Sequence, residues 1–177
     1  MYAGHLGFAL GAYSFRRTLP LWLLLIASQI PDWLDAGACI ADVDRGGPFG
    51  LYTHGWIPVG LAAVACALIA FLITRDVAGA LLVALVEASH YPLDYLTGLK
   101  PTWPGGPIVG LNLYSRPMVD LALEGAVILV GWLLYRRTLP RGVQNDGMTY
   151  AVLFALLALQ VFAGIAFLFS IGGHVKC

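Results

Sequence analysis

Long apolar runs are the feature that most restricts what this chain of 177 residues can fold into. A helix needs roughly 20 predominantly apolar residues to cross the hydrocarbon of a bilayer. Five segments meet or approach that length: Leu19–Asp35, Ile57–Thr74, Val77–Leu96, Met118–Tyr135 and Thr149–Ile171. Charged residues make up only 11% of the chain, whereas a soluble domain carries about a quarter. The sequence therefore predicts an all-α fold, a polytopic bundle of transmembrane helices.

A sixth apolar segment, Tyr2–Phe15, is shorter and rich in glycine. It lacks the basic start and the small-residue cleavage site of a secretory signal, so we expect it to stay in place as a thin or partly inserted helix. The connectors between the six segments are rich in Gly and Pro and leave no room for a soluble domain. We therefore expect one integral membrane domain, residues 1–177, with about six spans.

The arginines predict the orientation of these spans, because positive charge is favoured on the cytoplasmic side of a membrane. One set of alternate connectors carries Arg16, Arg17, Arg75, Arg136, Arg137 and Arg141. The other set carries Arg45, Lys100, Arg116 and Lys176. The first set is then cytoplasmic, and both chain ends face outward from the inner (cytoplasmic) membrane of a bacterium.

Net charge identifies no partner, because ten Lys and Arg residues balance ten Asp and Glu residues. No basic cluster of the kind that binds nucleic acid is present in the sequence, so we expect none as a ligand. Membrane lipids are the expected surroundings, and the sequence gives no indication of protein partners.

Acidic residues and histidines occur where apolar segments end, most clearly in EASHYPLDYLTG. His90 and Asp94 are one helical turn apart, and Glu87 lies one turn before His90 on the same face. Ionisable groups within a membrane are costly and mark functional sites by default. In the predicted topology, six further acidic residues and histidines reach the same outer side: His5, Asp32, Asp35, His54, Asp120 and Glu124.

Imidazoles and carboxylates in this mixture are ligands for divalent transition metals. The expected metal is zinc, with manganese or iron as alternatives. The predicted ligands are His5, Asp32, His54, His90 and Asp94. Glu87 and Asp120 are expected to orient these ligands through hydrogen bonds, as carboxylates near metal sites commonly do.

Four further residues have predicted roles that each compete with a simpler one. Asp35 and Glu124 are candidates for the catalytic general base or for a group that orients a metal ligand. Glu124, with Asp120, also fits a role in stabilising the start of its helix, where negative charge is favoured. Lys100 and Arg116 are candidates for binding a phosphate head group, and both also fit a role as anchors at the membrane interface.

These motifs together make the chain resemble a known protein family. The matching pieces, in chain order, are His5 in AGHLGFALG, Pro31, Asp32 and Asp35 in IPDWLD, Thr53 and His54 in YTHGW, and His90, Asp94 and Gly98 in HYPLDYLTG. The order and spacing resemble those of the YdjM-like family of bacterial inner-membrane proteins, which are regarded as membrane-bound metal-dependent hydrolases. The resemblance covers roughly the first hundred residues and implies a helical membrane fold with a metal site.

The sequence departs from the family pattern at two points. The stretch PFGLYTH lacks the His-Arg-Gly run that often precedes the family's Thr-His, and the second Asp of the acidic element comes one residue later than usual. A missing ligand would then be supplied by Asp42 or Asp44. The departures weigh against a two-metal site more than against a one-metal site.

The leading functional hypothesis is a membrane-embedded metal-dependent hydrolase at the outer interface, acting on a lipid or a lipid-linked ester or phosphoester. The loop TGLKPTWPGGPIVGLNLYSRP is expected to lie over its site. A proton or metal-ion transporter is one alternative, although a transporter is expected to carry a site near the midplane and related halves. A non-catalytic membrane protein with a structural metal site is the other.

Overall fold

The computed structural model describes residues 2–47 and 49–169 and is mostly helical. The helices are α1 (Ala3–Tyr13), α2 (Leu21–Ala27), α3 (Ile30–Ile40), α4 (Leu51–His54), α5 (Trp56–Thr74), α6 (Val77–Ala88), α7 (His90–Thr97), α8 (Pro117–Arg136) and α9 (Gly147–Phe169). Two short antiparallel strands, β1 (Lys100–Pro101) and β2 (Ile108–Val109), and a 3₁₀ turn at Leu113–Ser115 lie between α7 and α8.

Three helices, α5, α8 and α9, are long and apolar enough to cross a membrane. They match three of the predicted spans, although the predicted end of the last one, Ile171, lies outside the described residues. Only 22% of the apolar window of α5 is buried inside the protein. Its exposed side chains include Leu61, Val64, Leu68 and Leu72, which is the pattern of a helix that faces lipid.

The other predicted spans are short or broken, so the prediction of six spans is not confirmed. Helix α1 has 11 residues and is therefore about 16 Å long, roughly half the hydrocarbon thickness. Helix α6 has 12 residues, and Ser89 separates it from α7. Pro92 has no N–H to donate to the carbonyl of Ala88, which accounts for a break at this point.

The predicted span Leu19–Asp35 is divided between α2 and α3, which meet at an angle of 50°. Ser28 and Gln29 lie at the break, and Pro31 cannot donate a hydrogen bond to the carbonyl of Ala27. Helix α3 continues to Ile40, beyond the predicted end. Taken together, α2 and α3 satisfy the length and hydropathy of one further span.

Glycines allow α1 to lie very close to α8. A Cβ on Gly7 would lie 2.6 Å from the Ile128 Cα, and a Cβ on Gly131 would collide with the Gly7 carbonyl oxygen. Gly11 faces the same contact, so Gly7 and Gly11 form a G-x-x-x-G pair of the kind that brings membrane helices together. This contact fixes the start of α1, where His5 is buried.

The predicted loop between α7 and α8 folds over the end of the bundle. The Thr102 carbonyl accepts a hydrogen bond from the Trp56 N–H at 2.9 Å, and the Leu111 N–H donates to the Tyr95 carbonyl at 2.8 Å. These bonds tie the β1–β2 hairpin to α5 and α7 and bring Lys100 toward the polar residues at that end.

Candidate metal centre

Four of the predicted ligands converge at one end of the bundle. Asp32 comes from α3, His54 from α4, and His90 and Asp94 from α7. Each offers one ligand atom, and these four atoms all lie within 4.8 Å of one another. His54, His90 and Asp94 are buried, and Asp32 is half-buried. This buried Asp-His-His-Asp group is able to hold a metal ion.

The separations between the four atoms have the size that a metal coordination sphere requires. His54 Nε2 lies 3.2 Å from Asp32 Oδ1 and 3.5 Å from Asp94 Oδ2. His90 Nε2 lies 3.5 Å and 3.6 Å from the same two oxygens. Ligand atoms bound tetrahedrally at 2.0–2.2 Å are about 3.4 Å apart. The four separations between an imidazole nitrogen and a carboxylate oxygen therefore have the size expected around one metal ion.

The hydrogen bond made by Nδ1 of His90 determines the tautomer of its ring. Nδ1 lies 3.1 Å from the Ser28 carbonyl oxygen. Because a carbonyl only accepts hydrogen bonds, Nδ1 carries the proton, and Nε2 of the neutral ring is an acceptor. Nε2 has no hydrogen-bond partner among the described residues, and neither has Asp32 Oδ2. A lone pair and two carboxylates thus lie close together, an arrangement that a metal cation could occupy.

His54 is held by a relay of three further side chains. Its Nδ1 lies 2.8 Å from the Thr53 hydroxyl oxygen, and that hydroxyl donates to Asp35 Oδ1 at 2.9 Å. Arg45 donates to Asp35 Oδ2 at 3.0 Å. The single hydroxyl proton is used toward Asp35, so His54 Nδ1 is the donor to Thr53 and Nε2 is left to bind a metal.

Gly50 leaves the space that this relay occupies. Its φ of +66° is the left-handed conformation that glycine adopts at no steric cost. A Cβ at this position would lie 2.7 Å from Asp35 Oδ1 and 3.0 Å from Thr53 Oγ1. The turn before α4 is thus built so that Thr53 and His54 can approach Asp35.

The fifth predicted ligand, His5, lies beside the group of four. Its Nε2 is 3.2 Å from Asp94 Oδ1, and its ring stacks on His90 with centroids 3.7 Å apart. Asp94 Oδ1 and Oδ2 therefore face different partners. His5 fixes the orientation of both α7 residues, whereas the four-atom group is complete without it.

Lys100 contacts the group directly, with Nζ 3.0 Å from Asp94 Oδ2. Burial of the ammonium is the largest single influence and lowers its pKa, but Asp94, Tyr114 and Asp32 together outweigh it and raise the pKa of Lys100 above its usual range. The side chain therefore carries a positive charge that offsets the buried carboxylate.

A cavity of about 730 Å³ adjoins the group. It is lined by several of the predicted site residues: Asp32, Asp35, His54, Lys100, Asp120 and Glu124. Glu124 is buried and accepts a hydrogen bond from the Gly4 N–H at 3.2 Å. Arg116, predicted to bind a head group, is exposed at the start of α8.

Glu87 is fully buried, and its two carboxylate oxygens have no hydrogen-bond partner among the described residues. The hydrogen bond predicted between it and His90 is replaced by the bond from His90 to Ser28. Asp42 and Asp44, the proposed replacements for a missing ligand, are exposed.

Several groups at the site have no role predicted from the sequence: the Ser28 carbonyl, the Thr53 hydroxyl, Arg45 and Gln160. Gln160 carried a visible signal, because it is a polar residue within the apolar run ALLALQVFAG. The direction of the Ser28 carbonyl carries no such signal, since it depends on the bend between α2 and α3.

No protein-family model, curated protein or solved structure matches the chain. The resemblance to YdjM-like proteins therefore stays a prediction from the motifs, and the functional proposal is based on the geometry of this site.

Proposed function

We propose that the protein is a membrane-embedded metal-dependent hydrolase that acts on a lipid or a lipid-linked ester or phosphoester. The observation that carries the proposal is the convergence of four ligand atoms, His54 Nε2, His90 Nε2, Asp32 Oδ1 and Asp94 Oδ2, within 4.8 Å of one another, with each nitrogen 3.2–3.6 Å from each oxygen. Ring nitrogens whose other nitrogen is hydrogen-bonded, together with two carboxylates, are typical ligands of a divalent metal.

The donor set favours zinc, with manganese or iron as alternatives. Imidazole suits zinc and iron, whereas carboxylate oxygen also suits manganese, so a set of two imidazoles and two carboxylates fits all three. A divalent cation, when bound, polarises a carbonyl or phosphoryl oxygen and lowers the pKa of water toward neutrality.

The surrounding residues would supply orientation and proton transfer. Both oxygens of Asp35 are occupied, one by Thr53 and the other by Arg45, so its proposed role is to orient His54. The role of general base then goes to Glu124, which lines the same cavity. The ammonium of Lys100 faces the cavity beside Asp94 and would attract a phosphoryl oxygen.

The shape of the cavity supports a lipid substrate. Both polar residues and the apolar Ile40, Leu159 and Phe162 line it. A molecule with a polar head and an apolar chain complements such a wall. By the arginine distribution, the site would face the outer leaflet of a bacterial inner membrane.

The first test is elemental analysis of detergent-purified wild-type protein beside His90→Gln and Asp94→Asn. We expect stoichiometric zinc, manganese or iron in the wild type and its loss from both variants. The loaded wild type should then release product from short-chain phospholipids, and the variants should not. Folded wild-type protein that stays metal-free when the metals are supplied would overturn the proposal.

The ion transporter and the structural metal site are separated from the enzyme by two further measurements. Metal-dependent ion flux in proteoliposomes would indicate transport. Bound metal without turnover of any lipid ester or phosphoester would indicate a site that only holds the helices together, since a catalytic site keeps a coordination position open.

A further inference from the structure

A five-residue motif, RRTLP, occurs twice in the chain and has no role in the proposed activity. One copy, residues 16–20, begins shortly after α1 ends. The other copy, residues 136–140, begins at the last residue of α8. Each copy therefore places two adjacent arginines at the end of a helix.

The fold brings the two copies to the same end of the bundle. A Cβ on Gly7 would meet Ile128, and a Cβ on Gly11 would meet Gly131, so α1 and α8 run in parallel. At their ends, the rings of Tyr13 and Tyr135 lie 5.9 Å apart between centroids. Because α1 begins beside the candidate metal centre, the two RRTLP copies lie side by side at the opposite end of the bundle.

The first arginine of each copy is used in contacts within the chain, whereas the second is not. Arg16 donates to the carboxylate of Asp76, and Arg136 donates to a backbone carbonyl. Arg17 and Arg137 are exposed, and their side chains have no partner among residues 2–47 and 49–169. A guanidinium is a strong ligand for phosphate, so two of them at one bundle end favour an anionic group.

An apolar groove of about 800 Å³ between α1, α6 and α8 begins at the same end. Phe15, which directly precedes the first RRTLP copy, lines it, and so does Leu134 near the second copy. Along α8 the groove continues back to Leu123, a distance of about 16 Å at the rise of an α-helix. One leaflet of bilayer hydrocarbon is about 15 Å thick, so the groove has the depth of one leaflet.

The size of the groove favours a hydrocarbon chain over a further helix. A transmembrane helix about 30 Å long and 10–12 Å across occupies roughly 3,000 Å³, more than three times the volume of the groove. Close association of membrane helices also uses small residues, and Gly7 and Gly131 already face each other. An acyl chain needs only apolar walls, which this groove provides.

We propose that the groove binds one anionic phospholipid, with an acyl chain along α1, α6 and α8 and the phosphate held by Arg17 and Arg137. The arginines would select the head group, and the groove would hold the chain. This site is separate from the cavity at the candidate metal centre, and it does not depend on the proposed hydrolysis.

The test measures lipid affinity by native mass spectrometry of the detergent-purified protein. The two probes are dioleoyl phosphatidylglycerol and dioleoyl phosphatidylcholine, which share their chains and differ in net charge. An arginine near an anionic lipid contributes a factor of about five, so two arginines predict a preference of roughly 30-fold for phosphatidylglycerol.

Substitution of either exposed arginine tests the head-group contact. Arg17→Gln and Arg137→Gln should each lower the preference about fivefold, and the double variant should abolish it. Arg75→Gln is the matched control, because Arg75 is an exposed arginine at the same bundle end that follows α5. It should leave the preference unchanged, and melting temperatures close to that of the wild type would show that each variant is folded.

Ala126→Trp tests the chain contact separately. Ala126 lines the groove and is exposed, so the indole can occupy the groove without entering the protein core. Both lipids should then bind roughly tenfold more weakly, as expected when about two methylene groups are displaced, and the ratio of their affinities should stay the same.

Equal affinities for the two lipids in the wild type would overturn the inference, as would a preference that survives in the double variant. An equal loss in Arg75→Gln and Arg17→Gln would assign the preference to the general charge of this surface. Unchanged affinities in Ala126→Trp would remove the acyl chain from the groove. Each of these results is independent of whether the loaded protein hydrolyses a lipid.

Discussion

The two ends of the bundle satisfy their charges in different ways. One end of the bundle carries Arg16 and Arg136 and is called the arginine end. There, Arg16 donates to both carboxylate oxygens of Asp76 at 2.6 and 2.7 Å, and both side chains are partly exposed. Arg136 lies over the rings of Trp132 and Tyr150 and donates to the Gln144 carbonyl. Arg16 is thus paired with a carboxylate, and Arg136 with two aromatic rings and a carbonyl oxygen.

The opposite end carries the candidate metal centre and is called the histidine end. There, folding buries several hydrogen-bond acceptors that have no donor among the described residues. His90 Nε2, Asp32 Oδ2 and Asp120 Oδ1 are buried atoms with no hydrogen-bond partner among the described residues. An unsatisfied buried polar group costs roughly 1–3 kcal/mol, and a charged one costs more. Contacts within the chain satisfy Arg16 and Arg136, whereas the histidine end keeps buried acceptors without a hydrogen-bond partner among the described residues, beside a group that could hold a metal ion.

The largest effect that would sharpen this contrast is stabilisation by metal. Zinc at 100 times its dissociation constant should raise the free energy of unfolding by about 2.7 kcal/mol. For a chain of this size, the corresponding rise in melting temperature is roughly 5 to 10 °C. Thermal melts of metal-stripped protein with and without zinc measure it directly, and His54→Gln should abolish the rise.

Asp32→Asn should separate two effects of the crowded acceptor atoms: the cost in stability without metal and the ability to bind zinc. The amide can donate to a histidine nitrogen, so the metal-free variant should be at least as stable as the wild type while losing the response to zinc. A zinc response that persists in both Asp32→Asn and His54→Gln would remove the distinction between the two ends.

The next effect tests whether α1 supports the histidine end. Gly7→Ala places a methyl group 2.6 Å from the Ile128 Cα, so α1 has to move away from α8. Overpacking of this kind costs typically about 1–3 kcal/mol. We expect reduced thermal stability together with weaker zinc binding, because His5 is carried by α1 and contacts Asp94.

Gly60→Ala is the matched control for that substitution. Gly60 is an exposed glycine of α5, and a methyl group added there would have no neighbouring atom within 4 Å. Alanine should therefore be neutral or stabilising by up to about 1 kcal/mol. If Gly7→Ala behaves like Gly60→Ala, close packing of α1 on α8 does not control the site.

The sequence predicts part of this fold well for a physical reason. Helices α5, α8 and α9 are recognisable because a long apolar run has few alternatives to a membrane helix. The division of Leu19–Asp35 is harder to predict, because Ser28, Gln29 and Pro31 are compatible with either a kinked span or two helices. The sequence predicts a thin α1, but its close contact with α8 depends on glycines from two distant segments.

The site shows the same division between side-chain chemistry and tertiary geometry. Asp32, His54, His90 and Asp94 are predictable together because imidazole and carboxylate residues end several apolar segments on one side. Their order of importance is not predictable, since His5 has the same residue type as His90 yet lies outside the four-atom group. The role of Thr53 is also hidden in the sequence, because a hydroxyl acquires its partners only when α3 and α4 pack together.

The relay through Thr53 predicts a smaller effect on the histidine end. Thr53→Val keeps the shape of the side chain but removes the hydroxyl that joins His54 to Asp35. Loss of such an orienting group typically weakens metal binding 10- to 100-fold. Competition with a zinc chelator measures the change, and Thr53→Ser, which retains the hydroxyl, should remain close to the wild type. Equal losses in both variants would assign the effect to packing.

The smallest effect belongs to the arginine end and depends on pH. The hydrogen bonds from Arg16 hold the pKa of Asp76 below its usual range. A carboxyl group whose pKa is lowered by folding stabilises the folded protein above its unfolded pKa, and this contribution is lost as the pH falls through the folded pKa. Asp76→Asn should therefore lower the melting temperature slightly at pH 7, with no change in zinc binding.

The difference in melting temperature between Asp76→Asn and the wild type should shrink as the pH falls below about 4, the ordinary pKa of an aspartate. It should also shrink in high salt, because this ion pair is exposed and screened by ions. A difference that is independent of pH would attribute the effect to lost hydrogen-bond geometry at the start of α6. A change in zinc binding would show that the two ends are coupled, since a local ion pair at the arginine end has no contact with the ligand group.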